Sequence, residues 1–301
     1  MAAAKRKDRD EGGSPPSSEE GKKLKMEDED PSPPTLQSMP GKMEGPDDTF
    51  IVGLFSPLFY DILSFSINFF QGAPYVLPRK NEQKEFVQTL AGSDAKLYLA
   101  SRHTGAKEKI VQAMIWNKLV ESLLSVPLKA FIQFPEATMK MFITDAPGFY
   151  MWRTMTAQLM QKSYKGPLSW GKDGPRRKDF VDETTDLLSN LSVVNNQEAL
   201  RERLEDIAQK AYDLATAMAR SGAYWVCTMK DPDVAKLHGF QIKTSRMEDM
   251  ELWDDEEATK KVDLVVAPML LKYGNSSGQN FDKCQVVEKA KVVMKPKKDS
   301  H

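Results

Sequence analysis

Three groups of side chains in this sequence have types and spacings that could do chemistry. The first is a pair of basic clusters, Lys5-Arg6-Lys7 and Lys22-Lys23-Leu24-Lys25, separated by a polar, proline-containing spacer. A bipartite nuclear-import signal needs this arrangement, because one extended peptide must place two sets of cations in separate acidic pockets. The candidates for that role are Lys5, Arg6, Lys7, Lys22, Lys23 and Lys25, and the alternative is a solvated charge run of the kind common in disordered tails. The second group is a methionine- and tryptophan-rich stretch in which Met114, Trp116, Met151, Trp152 and Met155 could line a pocket for an apolar ligand or a partner helix. The same residues recur at helical spacing, which favours a helical core with methionine as filler. The third is Met247 to Glu257, where Leu252 and Trp253 are surrounded by Glu and Asp. Charge can keep such apolar residues in solvent until a partner groove takes them, although a solvated acidic loop is the plainer reading.

A weaker signal lies between Gly166 and Asp179, a Gly/Pro-punctuated basic loop carrying Trp170, Arg176, Arg177 and Lys178. Cations interleaved with an aromatic can hold a phosphate backbone and stack on a base. Asp173 and Asp179 dilute the cluster, and the chain's formal net charge is -1, so a solvated interhelical loop is the better reading and nucleic acid the weaker partner. Nucleophile elbows, Walker loops and dinucleotide turns are not found, and Gly274 and Gly278 lack the lysine and helix of a phosphate loop. With two cysteines and three histidines, no zinc site of usual spacing can be assembled. The expectation is therefore no catalytic residue, no cofactor and no metal, with a protein as the partner.

These residues need elements to position them. From Met1 to about Asp48 the composition is Pro, Ser, Gly, Lys, Glu and Asp, which supplies too little apolar area to offset the entropy of ordering, so a disordered tail is expected. Its charged start lacks the apolar run of a secretory signal. Next comes Ser56–Gly72, with Ser56 as N-cap, Pro57 at the first helical position and Gly72 as the stop. A helix over Pro57 to Gln71 would span about 22 Å, short of the ~30 Å hydrocarbon core, and it carries Asp61 and Asn68. The prediction is a buried helix, not a membrane span.

Further helices are predicted over Asn81 to Leu90, Thr104 to Val126, Gly148 to Tyr164, Phe180 to Leu191 and Gln197 to Val226, where apolar residues keep a period of 3.6. Lys96-Leu97-Tyr98-Leu99 is ambiguous between helix and strand, and Leu128 to Phe134 reads as a short apolar element between prolines. Past Asp231-Pro232 the pattern shifts toward strands at Gly239 to Lys243, Lys261 to Val266 and Val286 to Met294, with a turn-rich loop from Tyr273 to Asn280. The expected fold class is mainly α: a disordered tail over 1–48, a helical globular domain over 49–230, and a C-terminal region over 231–301 carrying a small antiparallel β-sheet.

The run Val262-Asp263-Leu264-Val265-Val266-Ala267-Pro268-Met269-Leu270-Leu271-Lys272-Tyr273-Gly274, with Val286-Val287-Glu288-Lys289-Ala290, resembles the C-terminal part of uncharacterised intracellular proteins of filamentous fungi. A looser likeness extends back through the Ile115-Trp116 helix. The resemblance implies an intracellular setting and transfers no activity and no site residue. Taken together, the sequence points to a non-enzymatic nuclear or nucleocytoplasmic protein that works through protein contacts, with transcriptional regulation as the process served. The alternative is a small-molecule enzyme or binder that uses the Met/aromatic helices. Oligomeric state has no signature in the sequence.

Overall fold

Asp47 opens the first helix, its Oδ1 accepting a 2.8 Å hydrogen bond from the Phe50 amide. From there Ile51, Phe55, Leu58, Ile62, Phe65 and Phe69 repeat at three- and four-residue steps, and all are buried along one face. The computed structural model describes residues 45–72, 81–92, 95–100, 105–124, 146–163, 174–189, 191, 196–250 and 258–296. In it α1 runs Asp48–Phe70, 23 residues, or about 34 Å at ~1.5 Å each. The predicted start at Ser56-Pro57 is therefore wrong. Pro57 lies inside the helix and has no N–H to offer the Gly53 carbonyl four residues back, but both positions are exposed and water can take that carbonyl. The length argument against a membrane span falls with it. Among the described residues α1 is the one helix long and apolar enough to cross a membrane, a property it shares with core helices of soluble proteins.

Short helices follow. α2 is Asn81–Ala91, stopped by Gly92 at φ +58, and α3 is Ala95–Ala100, which settles the ambiguous Lys96–Leu99 as helix. The next, α4, spans Ala106–Leu119 and widens into a π-helical turn over Val120–Leu124. It is buried on nearly every side, which fits its broad apolar surface. α5 is Ala146–Ser163, near its predicted bounds.

α6 is Pro175–Leu188. It starts earlier than predicted because Gly174-Pro175 places proline at the first helical position. Arg176, Arg177 and Lys178 therefore sit in a first helical turn and not in a loop. α7 is Gln197–Arg220, its amide at Ala199 donating to Asn196 Oδ1 at 3.1 Å. The prediction carried this helix to Val226, but its last residues form a strand. Past Ser221-Gly222 the run Tyr-Trp-Val-Cys-Thr alternates in burial, a period-2 pattern in β-formers.

Two three-stranded sheets complete the unit where a single antiparallel one was expected. β1 (Tyr224–Thr228), β4 (Met269–Tyr273) and β5 (Cys284–Glu288) form the first, ordered β1-β4-β5 and antiparallel throughout. β2 (Met247–Asp249), β3 (Ala258–Ala267) and β6 (Ala290–Pro296) form the second, ordered β2-β6-β3. In it β2 runs parallel to β6, with Met247 opposite Ala290, while β3 is antiparallel to β6. The chain passes from one sheet to the other at Pro268 and again at Lys289. Proline, which cannot donate to a ladder, stands at one of these corners. The Tyr273 to Asn280 loop does join a hairpin, β4 to β5, with Asn275 Oδ1 accepting from the amides of Ser277 and Gln279. Gly239 to Lys243 contributes only an isolated bridge, Gln241 to Lys261.

One apolar core runs from α1 through α4 and α7 to both sheets. Lys42–His301 is a single compact unit.

Candidate functional site

The predicted pocket residues lie on two helices. Met114 and Trp116 are fully buried on α4, and Trp116 stacks on Phe55 of α1 with ring centroids 5.5 Å apart. Met151, Trp152 and Met155 are half-buried on α5, where Trp152 lies 5.9 Å from Phe149 of the same helix. Lys5, Arg6, Lys7, Lys22, Lys23, Lys25, Leu252 and Trp253 lie outside the described residues, as does Trp170. In the basic cluster Arg177 is committed to α7: its Nη1 donates to Gln209 Oε1 at 2.9 Å and its Nη2 to the Glu205 carbonyl at 3.0 Å.

Sequence reasoning missed the outer face of α1. Its exposed positions are all uncharged, and on it Phe50, Tyr60 and Ile67 are 54, 62 and 39 % exposed. Single exposed apolar residues are ordinary, but an aromatic and aliphatic stripe along one helix is a feature of contact surfaces. The signal was in the sequence. Tyr60, Phe65 and Phe69 break the polar face of the helix, more aromatic side chains than a single buried stripe can take.

At the middle of this face a cleft of about 100 Å³ opens between α1 and the two sheet corners. Phe55, Phe59 and Tyr60 form its aromatic wall, Pro268 its far side, and Glu288, Lys289 and Lys291 its rim. The rim lysines are anchored. Lys291 Nζ binds Glu248 Oε2 at 2.6 Å, holding that carboxyl below its usual range, and Lys289 Nζ donates to the Thr244 carbonyl at 2.7 Å. A space of this size admits one side chain, not a cofactor, since small-molecule sites run to ~300 Å³ or more. Ion pairs fix α1 beside it. Asp61 binds Lys210 of α7, and Lys272 Nζ reaches Asp48 Oδ2 at 2.6 Å.

The molecule's other unusual group is Arg153 of α5, 2 % exposed. Its Nη2 donates to the carbonyls of Ser221 and Ala223, at 2.9 and 2.8 Å, where α7 gives way to β1. Thr154 Oγ1 lies 2.9 Å from both the Ser221 and Tyr150 carbonyls, and Trp225 Nε1 donates to Ser221 Oγ at 3.0 Å. The guanidinium faces the rings of Tyr150 and Tyr224 at 5.5 and 5.7 Å, while its Nε and Nη1 find no hydrogen-bond acceptor among the described residues. Burial holds its pKa down to about 10. A cation at a helix C-terminus meets the negative end of the dipole, so the arrangement pins the α7–β1 junction. No reacting group stands ready there. The Cys227 thiol on β1 is fully buried, and that burial pushes its pKa up, which keeps it protonated and inert.

Among the described residues no group of three His, Cys, Asp or Glu side chains could hold a metal ion. No family model, curated protein or solved structure matches the chain.

Proposed function

We propose that this is a non-enzymatic protein-interaction protein of the nucleus or nucleocytoplasm, serving transcriptional regulation. The observation that carries the interaction is the uncharged outer face of α1, with Phe50, Tyr60 and Ile67 exposed and a side-chain-sized aromatic cleft beside Tyr60. Contact energy in protein interfaces concentrates in a few aromatic anchors seated in small pockets, and this face supplies both halves of that arrangement. The partner it fits is an apolar helix that lays one bulky side chain into the cleft. A lipid bilayer fits less well, because the opposite face of α1 is built into the core and both flanks are tied by Asp61–Lys210 and Asp48–Lys272. The nuclear assignment rests on the paired basic clusters at Lys5–Lys7 and Lys22–Lys25.

Two experiments test the reading. In proximity labelling from the native cell, the variant Tyr60→Lys/Ile67→Lys should lose a defined set of labelled proteins while its unfolding midpoint stays near wild type. An unchanged set would refute the interaction face, and loss of binding to lipid vesicles instead would reassign it to membrane. Alanine at Lys5, Arg6, Lys7, Lys22, Lys23 and Lys25 in a fluorescent fusion should move nuclear signal to the cytoplasm. A wild-type fusion with no nuclear signal would overturn the localisation.

A further inference from the structure

On the far end of α2 the loop after β1 sorts its charges by direction. The carboxylate of Asp231 is buried and turned inward: its Oδ1 accepts from the amides of Asp233 and Val234, at 2.8 and 3.2 Å, and Lys243 Nζ lies 3.3 Å from its Oδ2. Asp233 is taken by Lys243 and Arg246, which hold its carboxyl below the usual range. Backbone bonds from the Asp231 amide to the Lys236 carbonyl and from the Ala235 amide to the Asp231 carbonyl lock the turn, with Ala235 at φ +55. Both acids of the loop are thus neutralised on one side.

The cations of the same loop face the other way. Lys230, Lys236 and His238, with Thr89 of α2, line a cleft of about 510 Å³ that has no acidic residue in its wall. Among the described residues neither lysine has an ion-pair partner. His238 is placed by packing: its ring lies so close to Gly92 that an added Cβ there would come within 2.8 Å of Cε1. The volume lies in the range of small-ligand sites. Rigid backbone carrying three uncompensated cationic or protonatable side chains around an open, acid-free space is a receptor for an anion with several oxygens.

We infer that the cleft formed by Lys230, Lys236, His238 and Thr89 binds the phosphate group of a small soluble phosphomonoester. The two ammonium groups pair with the phosphate oxygens, the imidazole donates to a third, and Leu237 and Ala235 give an apolar bed for the rest of the ligand. This site is separate from the α1 face and does not depend on it.

The chain has three histidines, so the His238 ring proton can be assigned by its disappearance in His238→Gln. Full-length protein would be titrated by NMR with inorganic phosphate and with adenosine 5′-monophosphate, against sodium chloride of matched ionic strength. The expected result is a saturable shift of the His238 Hε1 signal with both phosphates and none with chloride. Lys236→Gln should weaken binding about tenfold, the loss of one charge-assisted contact. The double variant Lys230→Gln/Lys236→Gln should abolish it, while Lys260→Gln, at an exposed position of β3 outside the cleft wall, leaves it unchanged. A shift that chloride reproduces, or that survives the double variant in a folded protein, would overturn the site. Binding only to vesicles containing a phosphoinositide, with no response to either soluble probe, would overturn it as well, because the ligand would then be a membrane headgroup.

Discussion

Arg153 carries a buried charge with no carboxylate beside it among the described residues, and what it supplies is the junction it holds. Replacing it with Met keeps most of the volume but removes both carbonyl contacts, at Ser221 and Ala223, so Arg153→Met should cost about 2–3 kcal/mol, as expected for hydrogen bonds to a charged group. Arg153→Ala adds a cavity and should cost more, and urea unfolding of the two variants measures the difference. The rings around Arg153 set the alkaline limit of stability. Burial raises the pKa of Tyr150 and Tyr224, and it raises that of Cys227, further along β1, as well, so above pH ~9 the native state binds more protons than the unfolded chain. Stability from these groups is present below their unfolded values and is lost as pH rises through the folded ones. Arg153 opposes them only above its folded value of about 10. The urea midpoint should therefore fall as pH rises from 9 toward 10, and Tyr224→Phe should flatten that fall. A midpoint that rises over this interval would contradict the assignment.

At the scale of elements, α1 shows what a sequence states and what it conceals. The apolar stripe at Leu58, Ile62 and Phe65 was legible, because its spacing alone defines a face. The start was not, because Ser56-Pro57 satisfies every local rule for a helix opening while Asp47 satisfies them too, and only the buried partners of Ile51 and Phe55 decide between them. The same competition hid β1. Tyr224 to Thr228 continues an apolar run from α7, and its period of 2 shows only once Ser221 and Gly222 break the helix and β4 supplies the ladder. The contact face was concealed for a different reason: exposure of Phe50 and Tyr60 depends on what the fold leaves uncovered, which spacing does not report. If Pro57 is a cost the helix merely bears, Pro57→Ala should restore the bond to the Gly53 carbonyl and raise stability by about 1 kcal/mol, less than the ~3 kcal/mol of a fully disfavoured proline because the substitution also frees the unfolded chain. A loss of stability would mean instead that the helix depends on its proline.

The helices and sheets of Lys42–His301 share their interior, so the molecule should fold as one unit despite the change of character along its sequence. Specific bonds cross the divide. The Tyr98 hydroxyl of α3 donates to Asp263 Oδ2 of β3 at 2.8 Å in a buried setting, Lys109 Nζ of α4 reaches the Met250 carbonyl after β2 at 2.8 Å, and Arg153 joins α5 to the residues that open β1. Far-UV ellipticity reports mainly the helices, while the fluorescence of Trp225 on β1, read in a background whose other four tryptophans are phenylalanine, reports a strand whose indole is fully buried. In a single cooperative transition the two signals must coincide along a urea titration. Tyr98→Phe removes one bond between the layers and should lower the common midpoint by an amount worth about 1–3 kcal/mol, since it weakens the solvation of a buried carboxylate. The informative outcome is the shape of that variant's curves. If they shift together, the clamp stabilises the whole; if fluorescence moves and ellipticity stays, the sheets unfold apart from the helices, and the C-terminal strands form a separable layer docked on a helical domain.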